Sequence, residues 1–130
     1  MYEFYSEGPR GRIKKVVLYT EIGKNLFNLG FGDWNEERQE LDDSSRSNNN
    51  DRDKVLATVA FTTLDFIGKH PNANIFVEGS TSARTRLYQM GISYNFLEIN
   101  DTFEIKGFVK EDWEVFQNGR NYEAFLIIKK

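Results

Sequence analysis

Hydrophobic positions follow two rhythms along this chain. Residues 12–20 (RIKKVVLYT) and 25–31 (NLFNLGF) are rich in Val, Ile, Leu, Phe and Tyr, and Glu21-Ile22-Gly23-Lys24 joins them. Apolar and aromatic runs with a glycine-bearing connection predict two strands. In the second run Phe27, Leu29 and Phe31 share one face, and Leu26, Asn28, Gly30 and Gly32 share the other. Two glycines on one face predict close approach of another element there. Residues 33–51 (DWNEERQELDDSSRSNNND) break the rhythm. The stretch is acidic and rich in Asn and Ser, which predicts a polar loop within the domain, with room for a short helical turn over 36–41. A loop of about 19 residues is long for a compact domain, and such loops are either functional or disordered.

The second rhythm is helical. Over residues 52–69, Val55, Leu56, Val59, Ala60, Leu64, Phe66 and Ile67 fill about half the circumference at ~100° per residue, leaving Lys54, Thr58, Thr62, Asp65 and Lys69 as a narrow polar arc. Asn50 or Asp51 can cap this helix, and Gly68 with His70-Pro71 stops it. So wide an apolar face predicts a helix covered on more than one side, and it raises the expectation of a homodimer. Residues 74–78 (NIFVE) predict a short buried strand. Gly79-Ser80 then leads into a helix from about residue 81 to 90, with Gly91 as its stop. Residues 94–99 and 102–109 predict a hairpin through Asn100-Asp101. Residues 122–129 predict a final strand, joined to residues 112–117 through Asn118-Gly119. Those residues read either as the partner strand or as a helical turn, since Val109, Trp113 and Phe116 are spaced i, i+4, i+7. The fold expected is therefore one α+β domain over residues 1–130. A mixed, mainly antiparallel sheet of five to six strands carries two packed helices, in an order near β-β-α-β-α-β-β-β.

Composition narrows the functional classes. The chain has 130 residues, no Cys and one His, His70. A disulfide framework, a thiol nucleophile and thiolate or multi-histidine metal sites are excluded. No metal, cofactor or catalytic residue is expected. No apolar run approaches the ~20 residues of a membrane span, and the first residues have neither a basic nor an apolar leader region, so a cytoplasmic protein is expected. The net charge of −3 does not suit a protein that coats nucleic acid. Part of the acidic excess lies in residues 34–53, which hold seven carboxylates against three arginines, so a local basic patch elsewhere remains compatible with it.

The strand-to-helix junction is the candidate for chemistry. Gly79, Ser80, Thr81, Arg84 and Tyr88 combine a glycine that admits close approach, hydroxyl donors, a helix start with unpaired N–H groups, and a guanidinium able to grip phosphate. The same pattern is also what ordinary N-capping with structural ion pairs looks like. On a helical projection Ala83, Leu87 and Met90 face the core, Arg84 and Arg86 flank that stripe, and Tyr88 points away from it, four residues after Arg84. A second basic cluster, Arg10, Arg12, Lys14 and Lys15, leads into the first strand. With Tyr2, Phe4 and Tyr5 it could stack single-stranded nucleic acid, or it could simply be a charged edge that resists aggregation. Carboxylates among Glu98, Asp101 and Glu104, or Asp42 and Asp43, give no specific catalytic pattern.

The chain resembles a small bacterial family, a domain of unknown function. The likeness rests on Asn48-Asn49-Asn50-Asp51, on the stretch from Lys54 to Ala60, and above all on Gly79-Ser80-Thr81-x-Ala83-Arg84-Thr85-Arg86-Leu87-Tyr88. It implies membership and no mechanism. The function expected is a non-enzymatic module that binds an anionic, phosphate-bearing partner, nucleic acid included, at the strand-to-helix turn. The alternative is a protein-interaction or accessory subunit, such as an antitoxin-like partner. A small hydrolase ranks third.

Overall fold

The computed structural model describes residues 1–42 and 52–130. Among them are eight strands and three helices. In chain order these are β1 (Tyr2–Gly8), β2 (Gly11–Gly23), β3 (Leu26–Asn35), β4 (Glu40–Asp42), α1 (Arg52–Lys69), β5 (Asn74–Val77), α2 (Ser82–Tyr94), α3 (Phe96–Thr102), β6 (Phe103–Val109), β7 (Asp112–Val115) and β8 (Ala124–Lys129). The sheet runs β1-β2-β3-β5-β8-β6-β7, with β4 attached to β3. Every pairing is antiparallel except β3 with β5, where Leu29 stands beside Val77. The mixed α+β class agrees with the sequence; the counts of strands and helices are larger.

Alternation assigns the faces. Tyr2, Phe4, Lys15, Val17, Leu29, Phe31, Ile75, Val77, Phe125, Ile127 and Ile105 lie on the side that the helices cover, and most join one core with Val59, Phe66, Ile67, Tyr88, Ile92 and Ile99. Fully buried Phe125, Ile75 and Ile105 each contribute about 1.5–3 kcal/mol by leaving water. The opposite face carries Phe76, Leu126, Lys106 and Val115 in one cross-strand row, and Ala124, Phe108 and Trp113 in the next.

Four expectations are corrected. β1 was not foreseen: two glutamates and a serine in seven residues mask its alternation, yet Phe4 stacks on Phe31 at 6.3 Å and Tyr2 meets Tyr19 edge-on at 5.8 Å. The loop over 33–51 is partly sheet, since Asp33–Asn35 close β3 against β4; residues 43–51 lie outside the described residues. Residues 94–99 are not a strand: Tyr94 ends α2, Asn95 is the turn, and Phe96 opens α3, whose Phe96 and Ile99, with Phe103 after it, meet the core at i, i+3, i+7; Asn100-Asp101 lies in the last turn of α3 rather than in a hairpin. Finally, β7 pairs with β6, not β8. The chain reverses through Lys110-Glu111, both left-handed (φ 53° and 64°), while β8 occupies the other edge of β6. The segment 112–117 is thus a strand only over Asp112–Val115.

α1 starts and stops as the sequence predicts, but its wet stripe differs. Thr62 and Thr63 are buried, with the Tyr19 hydroxyl 3.0 and 2.9 Å from their oxygens, and Phe61 is exposed instead. α2 runs through Gly91. That residue has no side chain because Leu56 of α1 lies across it, 3.4 Å from where a Cβ would sit. Asn95 then ends the helix, returning two N–H bonds to the Gly91 carbonyl at 3.1 and 2.8 Å.

Candidate functional site

The junction of β5 and α2 is built by tight local bonding. Thr81 is the N-cap, one residue later than Ser80: its hydroxyl accepts from the Arg84 N–H at 3.1 Å. Gly79 donates its N–H to the Thr85 hydroxyl at 3.0 Å, and that hydroxyl donates to the Thr81 carbonyl at 3.1 Å. A Cβ on Gly79 would stand 2.3 Å from the Thr85 nitrogen. Gly79 is therefore required by contact with the first turn of α2, and its N–H serves the turn rather than a ligand. Ser80 is exposed.

α2 is rotated relative to the sequence projection. Thr85, Tyr88, Gly91 and Ile92 face inward, while Ala83 and Met90 are exposed. Tyr88 is accordingly a core residue, 6% exposed and edge-on to Phe31 at 6.5 Å, and not part of a surface patch with Arg84. The projection went wrong because Tyr and Thr counted as polar. Both are buried here, and Thr85 bonds to Gly79 and Thr81. Arg84 is half-buried, its guanidinium carbon 5.8 Å from the centroid of Phe31.

The same ring carries a second cation from the sheet. Lys15 of β2 brings its ammonium to 6.0 Å from the Phe31 centroid and forms an ion pair with Asp33, its cross-strand neighbour on β3. The lysine side chain is 7% exposed and the aspartate 22%. Lys15, Asp33, Phe31 and Arg84 thus gather at the carboxyl end of β3, beside the end of its parallel neighbour β5. In open, mostly parallel α/β sheets ligands favour the carboxyl ends of strands; here one pair of strands, β3 and β5, is parallel.

A family model described as Family of unknown function (DUF6934) matches residues 1–130. The chain belongs to this family. No curated protein and no solved structure matched it. Membership brings no activity with it, so the chemistry of the site rests on the residues themselves.

The second basic cluster divides between the faces of the sheet. Arg10 lies in the β1–β2 turn. Arg12 covers the Tyr5 ring at 3.9 Å and faces Glu7 at 3.8 Å. Lys14 faces Glu3 at 3.6 Å and Glu36 at 3.5 Å, and stands 5.8 Å from the Trp34 ring. Lys15 points to the helical side with Tyr2 and Phe4. The three aromatic residues do not form one stacking surface, and three carboxylates sit among the outward cations. His70 closes α1: its ring stacks on Phe66 at 4.3 Å, with Nδ1 3.1 Å from the Phe66 carbonyl. Among the described residues no group of three or more His, Asp or Glu is placed to hold a metal.

Sequence reasoning missed Asp33 and the burial of Lys15. A signal was present. Phe27, Leu29, Phe31 and Asp33 continue one alternation, which puts a carboxylate at a core-facing position. On β2 the same period puts Lys15 in line with Val17 and Tyr19.

Proposed function

We propose that this chain is a non-enzymatic binding module for an anionic, phosphate-bearing partner, met at the corner between β3, β5 and α2, in the cytoplasm of a bacterial cell. The observation that carries the reading is the convergence of Arg84 and Lys15 on the Phe31 ring beside the ends of the parallel strands. Arg84 is the contact for the anion, because a planar guanidinium grips phosphate through two N–H bonds. Ser80, exposed at the turn, adds a hydroxyl. Gly79 and Thr81 shape the turn, and Tyr88 backs Phe31. The net charge of −3 favours a small ligand or a short oligonucleotide over a long polymer. Isothermal titration in low salt with inorganic phosphate, nucleoside phosphates and a short RNA tests the reading. Wild type binds at least one of them, and Arg84→Ala weakens that binding about tenfold or more. Undetectable binding by wild type, or equal binding by the variant, overturns it.

The second reading is an accessory subunit, an antitoxin-like partner or a self-associating chain. It draws on the sheet face opposite the helices, where Trp113 meets Phe108 at 5.1 Å and Phe76 at 6.3 Å, and Val115 is exposed. Trp113→Lys abolishes a defined complex under this reading and leaves phosphate binding intact.

A further inference from the structure

We infer that two copies of this chain pair face to face through the helix-free side of the sheet, with Lys106 of each copy set against Glu104 of the other. This rests on the second reading, in which that face is an interaction surface, and commits it to one occupant; it does not depend on phosphate binding.

The surface comes from alternation. On six neighbouring strands, β2-β3-β5-β8-β6-β7, the residues that point away from the core are mostly apolar, among them Leu18, Leu26, Phe76, Leu126, Trp113 and Val115. A sheet face that meets only water alternates to polar residues instead. A contiguous apolar patch of this kind marks an interaction site. Trp113 shows how far the apolar character reaches. Its ring starts from β7 at the edge, packs on Phe108 at 5.1 Å and meets Phe76 of β5 at 6.3 Å, so it spans β6 and β8. Ala124 of β8, the neighbour of Phe108, is 2% exposed as a result. The tryptophan itself keeps 37% exposure, and Val115 keeps 62%.

Size narrows the occupant. Strands ~4.8 Å apart, with rows of outward residues ~7 Å apart along them, give six strands and three rows an area on the order of 600 Å² before side-chain relief is counted. A stable interface takes about 800 Å² of accessible surface per partner, so this face has the size a dimer needs. A docked helix, about 10 Å across, would leave most of it in water. A second sheet of equal width covers it, and twisted sheets stack in this way about 10 Å apart with their strands nearly aligned.

Charge then selects a second copy. At the β1 end of this face the charges are paired within the chain, Arg12 with Glu7, and Lys14 with Glu3 and Glu36. Within β5, β8, β6 and β7 the charges on this face are Lys106, between Leu126 and Val115, and Glu104, beside Ile128. Both are half-buried, and neither forms an ion pair among the described residues. A closed two-fold contact places residue i against j and j against i. A lysine and a glutamate two positions apart on one strand therefore satisfy each other twice when the second sheet is turned end over end about Ile105. The same turn sets Leu126 against the partner's Ile128.

The test is sedimentation equilibrium of the full chain from micromolar to millimolar concentration, with circular dichroism reporting the fold of each variant. Wild type is expected to dimerise within that range. Val115→Lys, at an exposed position, weakens the dimer about tenfold or more. Lys106→Glu and Glu104→Lys each set like charges against one another and do the same. The double variant Lys106→Glu/Glu104→Lys restores the dimer. An equimolar mixture of the two single variants forms a heterodimer, because one offers two glutamates and the other two lysines. If wild type stays monomeric throughout, the inference fails, and the second reading then stands only on a foreign partner that Trp113→Lys releases. If a dimer forms that Trp113→Lys disrupts and the charge variants leave unchanged, the inference fails while the second reading stands. A dimer that neither Val115→Lys nor Trp113→Lys affects uses another surface and overturns both.

Discussion

Gly79 and Thr85 are locked together by contact. A methyl group on Gly79 would meet the Thr85 nitrogen at 2.3 Å and the Arg84 carbonyl carbon at 2.7 Å, both backbone atoms that cannot swing aside. Gly79→Ala should destabilise the protein by about 1–3 kcal/mol or more, read from urea denaturation. Thr85→Val keeps the volume and strands the Gly79 N–H, which should cost about 1–3 kcal/mol. At the other end of the helical layer, the Tyr2 hydroxyl donates to Asp65 at 2.7 Å, and Lys69 lies 3.1 Å from the same carboxylate. Burial, then the bond to Asp65, pushes Tyr2 up to about 12, and the bonds from Tyr2 and then Lys69 hold Asp65 below its ordinary value. The raised Tyr2 contributes stability that is complete below pH 10 and lost as pH rises toward 12. The lowered Asp65 contributes stability present above the ordinary carboxylate range near pH 4 and lost on further acidification. The stability difference between wild type and Tyr2→Phe should therefore shrink between pH 10 and 12, as measured by denaturant titration across that range. A constant difference would remove the account of Tyr2.

At the scale of elements, the β6–β7 turn offers the clearest prediction. Lys110 and Glu111 both adopt left-handed backbone angles without the Asn-Gly sequence that suits such a reversal. Lys110→Asn with Glu111→Gly should stabilise the protein by about 1 kcal/mol, and thermal unfolding would show it as a higher midpoint. The same turn explains one limit of the sequence. Asn118-Gly119 carries the recognised hairpin signal, and Gly119 does take a positive φ of 84°, but the strands it was expected to join are separated by β6. Long-range pairing, not turn chemistry, decided the neighbours of β7 and β8. α1 was legible because its apolar period and stop signals agree; the cap candidates Asn50 and Asp51 lie outside the described residues. β1 was obscured by Glu3, Ser6 and Glu7, whose positions make sense only once β2 lies alongside. In the candidate site Arg84 was legible from its place in the first helical turn. The inward turn of Tyr88 was not, because its burial depends on Phe31, a strand residue distant in sequence.

The whole molecule is a one-sided sandwich: three helices on one face of an eight-stranded sheet, with a partly apolar row on the other among the described residues. This arrangement leaves β3 and β5 as the parallel pair, and the corner at their ends collects Lys15, Asp33, Phe31 and Arg84. The most direct test is a titration of ¹⁵N-labelled protein with inorganic phosphate in low salt, followed by amide chemical shifts in wild type and Arg84→Ala. The account predicts shifts concentrated at residues 31–33 and 79–85 that disappear in the variant. Shifts confined to the β1–β2 turn around Arg10 and Arg12, or an unchanged pattern in Arg84→Ala, would contradict it.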